Sequence, residues 1–214
     1  MNEDPGGISR REKHRAERGG DPEGESPGES AKGVSPSGNQ RAEGPVVSQQ
    51  AEGLVVKWER LLVRAGCDRR VVAHVRAVTT LALSFSENPV VDRDLVEAGA
   101  MLHDIGRGKT HGIDHAQRGA DLARTLGLDP AIVSIIERHI GAGMTADECS
   151  LGGLLARDCI PATAEEKIVA NADNLVRGDE IGTIEGTLES ALRQKKRIRR
   201  RICRLYFEME SFRS

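Results

Sequence analysis

The chain has 214 residues, with 31 Lys and Arg against 33 Asp and Glu, a net charge of −2 and 2% aromatic residues. A near-neutral balance gives no global pull toward nucleic acid or an anionic membrane, and so few aromatics exclude a stacked-base platform. No run approaches the ~18 apolar residues of a bilayer span.

Residues 1–53 hold 10 of the 24 glycines, 5 of the 8 prolines and no aromatic residue. Such a stretch buries too little apolar surface to offset its ordering entropy, so it is expected to be a disordered low-complexity tail. It has no apolar h-region and is rich in acids, so neither a secretory signal nor a transit peptide is expected. Residues 54–214 remain for one domain, a length that supports a single core. The four cysteines (Cys67, Cys149, Cys159, Cys203) form no C-x-x-C pair and read as reduced thiols of a cytoplasmic protein.

From residue 54 onward the pattern is helical. Leu54, Val55, Trp58, Leu61 and Leu62 follow helical spacing, and Gly66 is the expected stop. Asp68 caps a second helix whose stripe is Val71, Val75, Val78, Ala82 and Phe85, with His74 at its edge. After the Asn88-Pro89 break, Asp92 caps a third helix. Val96, Ala100 and His103 lie there at i, i+4 and i+7, so His103 continues the buried line. Gly106 and Gly108 end it, and a polar loop follows.

Asp114 is expected to cap a helix from His115 to Leu126. Asp129-Pro130 opens the next, which carries Ile132, Val133, Ile136 and His139. Thr145 with Glu148 and Thr163 with Glu166 fit the capping box. The last core helix is expected to run from Thr163 through Asp173 and Val176 to a stop at Gly178. A long basic helix with Ile198, Ile202, Leu205 and Met209 on one side closes the chain. No strand alternation and no internal repeat is visible. The expected fold is all-α, a compact bundle of about six or seven helices.

His103 and Asp104 stand side by side in Leu102-His103-Asp104-Ile105-Gly106, and five of the six histidines fall between His74 and His139. Five helices thus place a His or Asp on or beside an apolar stripe: His74, His103 with Asp104, His115, His139 and Asp173. A buried carboxylate needs a partner, and shared metal is the simplest one. Imidazole is a borderline donor, and carboxylate is a hard anion able to bridge two ions. A lone His on an apolar face is more often a hydrogen-bonded core residue. It is the ordered set that points to ligation.

The order His74, His103-Asp104, His115, His139, Asp173 resembles the HD superfamily of metal-dependent phosphohydrolases, and His103-Asp104-Ile105-Gly106 matches its HDIG subgroup. The resemblance runs from about Leu61 to Arg177. It implies a minimal metal set of His74, His103, Asp104 and Asp173, with His115 and His139 as the additional ligands of two-metal members. It further implies that Asp104 bridges two ions and that metal-activated water attacks phosphorus in a nucleotide or related small phosphate ester. Residues 166–173 resemble the closing helix of bacterial HD hydrolases that split diadenosine tetraphosphate. The second motif of the HD-GYP phosphodiesterases is absent. Where the family often has Lys after the HDIG turn, this chain has Arg107, followed by Lys109. Either can hold a substrate phosphate, and His111 is a further candidate contact or a plain exposed side chain.

The donor set suits one or two divalent ions, with iron, manganese, cobalt or nickel all fitting. An HD-fold di-iron oxygenase uses the same ligands and is the competing reading. A non-catalytic metal-stabilised regulatory or RNA-associated module is a third. The run Lys195-Lys196-Arg197-Ile198-Arg199-Arg200-Arg201 is an RNA patch or, favoured by Ile198 within it, a solvated helix face.

Overall fold

The computed structural model describes residues 49–212. The expectation of a disordered tail falls almost wholly on residues 1–48, outside the described residues. The first helix, α1 (Gln49–Ala65), begins ahead of the compositional boundary at Gly53. It is followed by α2 (Arg69–Leu83), α3 (Arg93–Leu102), a 3-10 turn (Ile105–Gly108), α4 (His115–Thr125), α5 (Pro130–Arg138), α6 (Ala146–Leu151) and α7 (Ala164–Leu175). A two-residue hairpin, β1 (Val176–Arg177) with β2 (Glu180–Ile181), then leads to α8 (Ile184–Ser190), a second 3-10 turn (Ala191–Arg193) and α9 (Lys196–Phe212).

The fold is all-α, with nine α-helices among the described residues rather than six or seven. The surplus comes from short pieces. Helix α6 has six residues and α8 has seven, too short for a periodic stripe to stand out. No helix among the described residues is long and apolar enough to cross a membrane.

Helix starts follow local chemistry. Asp68, Asp92 and Asp129 each accept a hydrogen bond from a first-turn N–H, and Pro130 supplies a preset φ at the first position of α5. Both capping boxes form, Thr145 with Glu148 and Thr163 with Glu166. Asp114 does not cap α4. Its carboxylate accepts from Thr110 and pairs with Arg118. Helix α7 stops at Leu175, before the expected Gly178. Val176 and Arg177 turn extended and pair with Ile181 and Glu180, and Gly178 takes φ +62° in the hairpin turn.

Helix α3 sits at the centre, against α2, α5 and α7, while α4 packs on α5 and on the first 3-10 turn. One apolar cluster joins Val78, Val96, Ile135, Ile168 and Met209; another joins Leu62, Val75, Leu102, Ile105 and Ile136. Both draw on α2, α3 and α5, so these helices are held from two sides. Each such buried aliphatic side chain contributes about 1.5–3 kcal/mol.

Candidate metal centre

Helix ends build the centre. His103 and Asp104 follow the last residue of α3, His139 follows α5, and Asp173 lies in the last turn of α7. Three C-terminal helix ends, where the helix dipole is negative, therefore converge and favour positive charge. His115 is the first residue of α4, and His74 projects from the middle of α2.

Gly106 makes this convergence possible. A Cβ there would lie 1.9 Å from the carbonyl oxygen of His115 and 2.7 Å from the Gly119 nitrogen. The HDIG turn and the start of α4 touch backbone to backbone, which brings His115 up to Asp104.

The six residues meet. His74 Nε2 lies 3.0 Å from Asp173 Oδ1, and His103 Nε2 lies 3.5 Å from the same atom. Across the site His115 Nε2 and His139 Nε2 lie 3.1 and 3.6 Å from Asp104 Oδ1. The other oxygen, Oδ2, is 3.9 Å from His74 and 3.8 Å from His103. Asp104 thus turns one oxygen to each histidine pair. Three ligand-competent groups result: His74, His103 and Asp104; His103, His139 and Asp173; Asp104, His115 and His139.

Each imidazole is oriented by a backbone carbonyl. The Nδ1 atoms donate to Gly178 O (His74, 2.7 Å), Ala100 O (His103, 2.7 Å), Gly112 O (His115, 2.8 Å) and Ile136 O (His139, 2.8 Å). A carbonyl can only accept, so Nδ1 carries the proton and Nε2 of the neutral ring turns a lone pair inward. This is a ligand's arrangement. It leaves His115 Nε2 and His139 Nε2 facing each other at 3.0 Å, two acceptors that need a cation or a proton between them. His103 Nε2 and Asp104 Oδ1 are fully buried and have no well-formed hydrogen bond. Buried, unsatisfied donor atoms of these types fit divalent metal.

The electrostatics agree. Burial works to raise the Asp104 carboxyl, but the charge of His103 and the close approach of the His115 and His139 rings hold it well below the usual carboxylate range. For Asp173, burial is likewise outweighed by the close His103 and His74 imidazoles, and its carboxyl is held low. Burial pushes the His103 imidazole down, yet Asp104 and Asp173 raise it to about 9. Burial dominates at His139 and lowers it. One buried and one partly buried anion thus demand positive charge, which a proton on His103 or a metal ion would supply.

The expected substrate contacts fall differently. Arg107 Nε donates to Asp104 Oδ2 at 2.6 Å, so Arg107 stands at the centre. Lys109 and His111 are exposed. Val71 and Arg70 N–H groups hold the Asp68 carboxyl low, and His111 is near enough to add to that effect. Sequence reasoning missed Gly178, whose carbonyl orients His74 from the hairpin turn. It also missed a cleft of about 530 Å3 that shares Asp173 with the centre. No sequence signal marks a carbonyl as an orienting group, because every residue has one.

The family model for the HD domain matches residues 71–178. A tRNA (cytidine(56)-2'-O)-methyltransferase of Picrophilus torridus is 47% identical over 121 residues, which cover 56% of this chain and 36% of that protein. An uncharacterized protein of Methanocaldococcus jannaschii is 45% identical over 128 residues, covering 58% of this chain and 76% of that protein. The HD domain of the Listeria monocytogenes phosphodiesterase PgpH, solved with cyclic-di-AMP, is 14% identical with a TM-score of 0.48, covering 72% of this chain and 95% of that one. The matched range begins three residues before His74, ends five residues after Asp173 and encloses every member of the cluster: the chain belongs to the HD domain family.

Proposed function

We propose that the chain is a metal-dependent phosphohydrolase acting on a nucleotide or a related small phosphate ester. The observation that carries this reading is Asp104, a buried carboxylate with one oxygen toward His115 and His139 and the other toward His74 and His103. His74, His103, Asp104 and Asp173 would hold one divalent ion, and Asp104, His115 and His139 a second. Iron, manganese, cobalt and nickel all suit such donors. Divalent metal bound there supplies Lewis acidity and a water of lowered pKa.

The remaining chemistry falls to the chain's own groups. The four carbonyl-anchored imidazoles keep their orientation before any ligand arrives, so little reorganisation accompanies binding. Arg107 spends Nε on Asp104 and has its terminal guanidinium nitrogens left for phosphoryl oxygens. Lys109 adds positive charge on the exposed turn outside, beside His111, drawing an anionic substrate inward.

A di-iron oxygenase would use the same ligands, but Arg107 beside the Asp104 carboxylate favours an anionic phosphate over a neutral polyol. Methyl transfer in the relative's name belongs to a protein of which this chain spans 36%, and no group in the centre described here calls for it.

Metal analysis of the purified chain together with a nucleotide and phosphodiester panel tests the reading. Divalent metal and phosphate release are expected, and Asp104→Ala is expected to lose both. Full turnover by that variant would falsify the assignment. A mixed-valence di-iron resonance with oxygen uptake would replace it with the oxygenase.

A further inference from the structure

The cleft beside Asp173 has two kinds of wall. One comes from within the family's matched range: Ile113, the segment from Ile140 to Met144, and Asp173 with Asn174. The other comes from α8, the second 3-10 turn and α9, all beyond residue 178. Ile198 and Ile202 of α9 are its apolar part, and Gln194 stands at its exposed rim.

Most polar groups in the cleft are already used by the protein. Asn174 Nδ2 donates to Gly141 O at 2.8 Å, and Thr187 Oγ1 donates to Asn174 O at 2.6 Å. Arg177 is turned to Gly186 O and Ser190 Oγ. Glu148 is paired with Arg197 and Arg201. The side-chain amide of Gln194 has no hydrogen-bond partner among the described residues. Beyond Gln194 and the Asp173 and Glu148 carboxylates, such a surface offers little to sugar hydroxyls, since most would be buried against groups already paired. It offers much to a flat group with apolar faces and a polar edge. A volume of about 530 Å3 is in the range that seats a small organic ligand, and far more than a phosphate fills.

We propose that the cleft is a nucleobase site and that α8 and α9 form its specificity wall, with Met144, Ile198 and Ile202 against the base faces and Gln194 reading the edge. The proposal rests on the phosphohydrolase reading for why a base should lie next to Asp173, but base binding itself needs neither metal nor turnover.

The test titrates the full chain, carrying isotope-labelled isoleucine methyls, with adenosine, guanosine, cytidine, uridine and ribose. Nucleosides are expected to move the methyl signals of Ile113, Ile140, Ile198 and Ile202, while Ile105 and Ile132 stay in place and ribose has no effect. Ile198→Asn is expected to weaken nucleoside binding about tenfold, and Gln194→Ala to flatten the preference among bases. Should Ile198→Asn fail to fold, Ile113→Asn on the exposed loop carries the same expectation. Equal shifts from ribose, no nucleoside shift at all, or unchanged affinity in a folded variant would each overturn the proposal. Hydrolysis of an aryl phosphate without nucleoside binding leaves the phosphohydrolase standing and removes the base site; nucleoside binding without hydrolysis does the reverse.

Discussion

Asp104 and Gly106 show how much one position can decide. Asp104 is 2% exposed and lies between two histidine pairs, so on the assignment proposed above it is the one ligand that both ions would share. His139→Ala should therefore halve the metal bound per chain, with His74, His103 and Asp173 keeping the other ion. Elemental analysis after dialysis at limiting metal reads this directly, and complete loss of metal would argue for a single ion. Gly106→Ala should act differently. Its Cβ would collide with backbone atoms of His115 and Gly119, which cannot rotate away. A destabilisation of about 2–3 kcal/mol in denaturant unfolding is expected, accompanied by weakened metal binding as His115 moves. A variant as stable and as metal-rich as the parent would contradict the close approach.

At the scale of elements, α9 is tied to α6 through one carboxylate. Glu148, 7% exposed on α6, pairs with Arg201 (26% exposed) and with Arg197 (56% exposed), and Met209, Leu205 and Ile202 anchor the other face. The more buried Arg201 carries most of the electrostatic gain, because Arg197 is largely screened by water. The basic run is thus partly inward-facing, not wholly a solvated face. Burial tends to raise the Glu148 carboxyl, but the Thr145 N–H and Arg201 prevail and hold it below its ordinary value of 4.5. A depressed folded-state pKa stabilises above the ordinary value and is lost as pH falls through the folded one. Glu148→Gln should accordingly cost about 1–2 kcal/mol at neutral pH and flatten the loss of stability below pH 4.5. Thermal melts across that acid range would show it, and parallel curves for both proteins would count against the clamp.

For the whole molecule, metal held by the two carboxylates and four inward imidazoles would be part of the fold's stability. A ligand that binds only the folded chain adds about 2.7 kcal/mol at a hundred times its dissociation constant. Chelation should lower the melting temperature, and restored divalent metal should raise it in proportion to the logarithm of its concentration. Calorimetry unchanged by chelator would speak against the centre. Much of this was legible beforehand. Caps and boxes such as Asp68, Asp129 and Thr163 with Glu166 are local, because each closes a hydrogen bond within three residues, and the all-α character follows from the 3.6-residue period of apolar side chains. The six residues proposed as ligands stood out because charge on an apolar stripe demands a partner. The failures have separate causes. Asp114 was drawn to Thr110 and Arg118, α7 yielded Val176 and Arg177 to a hairpin, and α8 was too short to show a period. By itself the sequence determined which groups require positive charge and which helices carry them. Only the tertiary structure decided that Asp104 faces both histidine pairs, that Gly178 orients His74, and that α8 and α9 wall a cleft at Asp173, because contacts between residues distant in the chain depend on how helices pack and leave no local pattern.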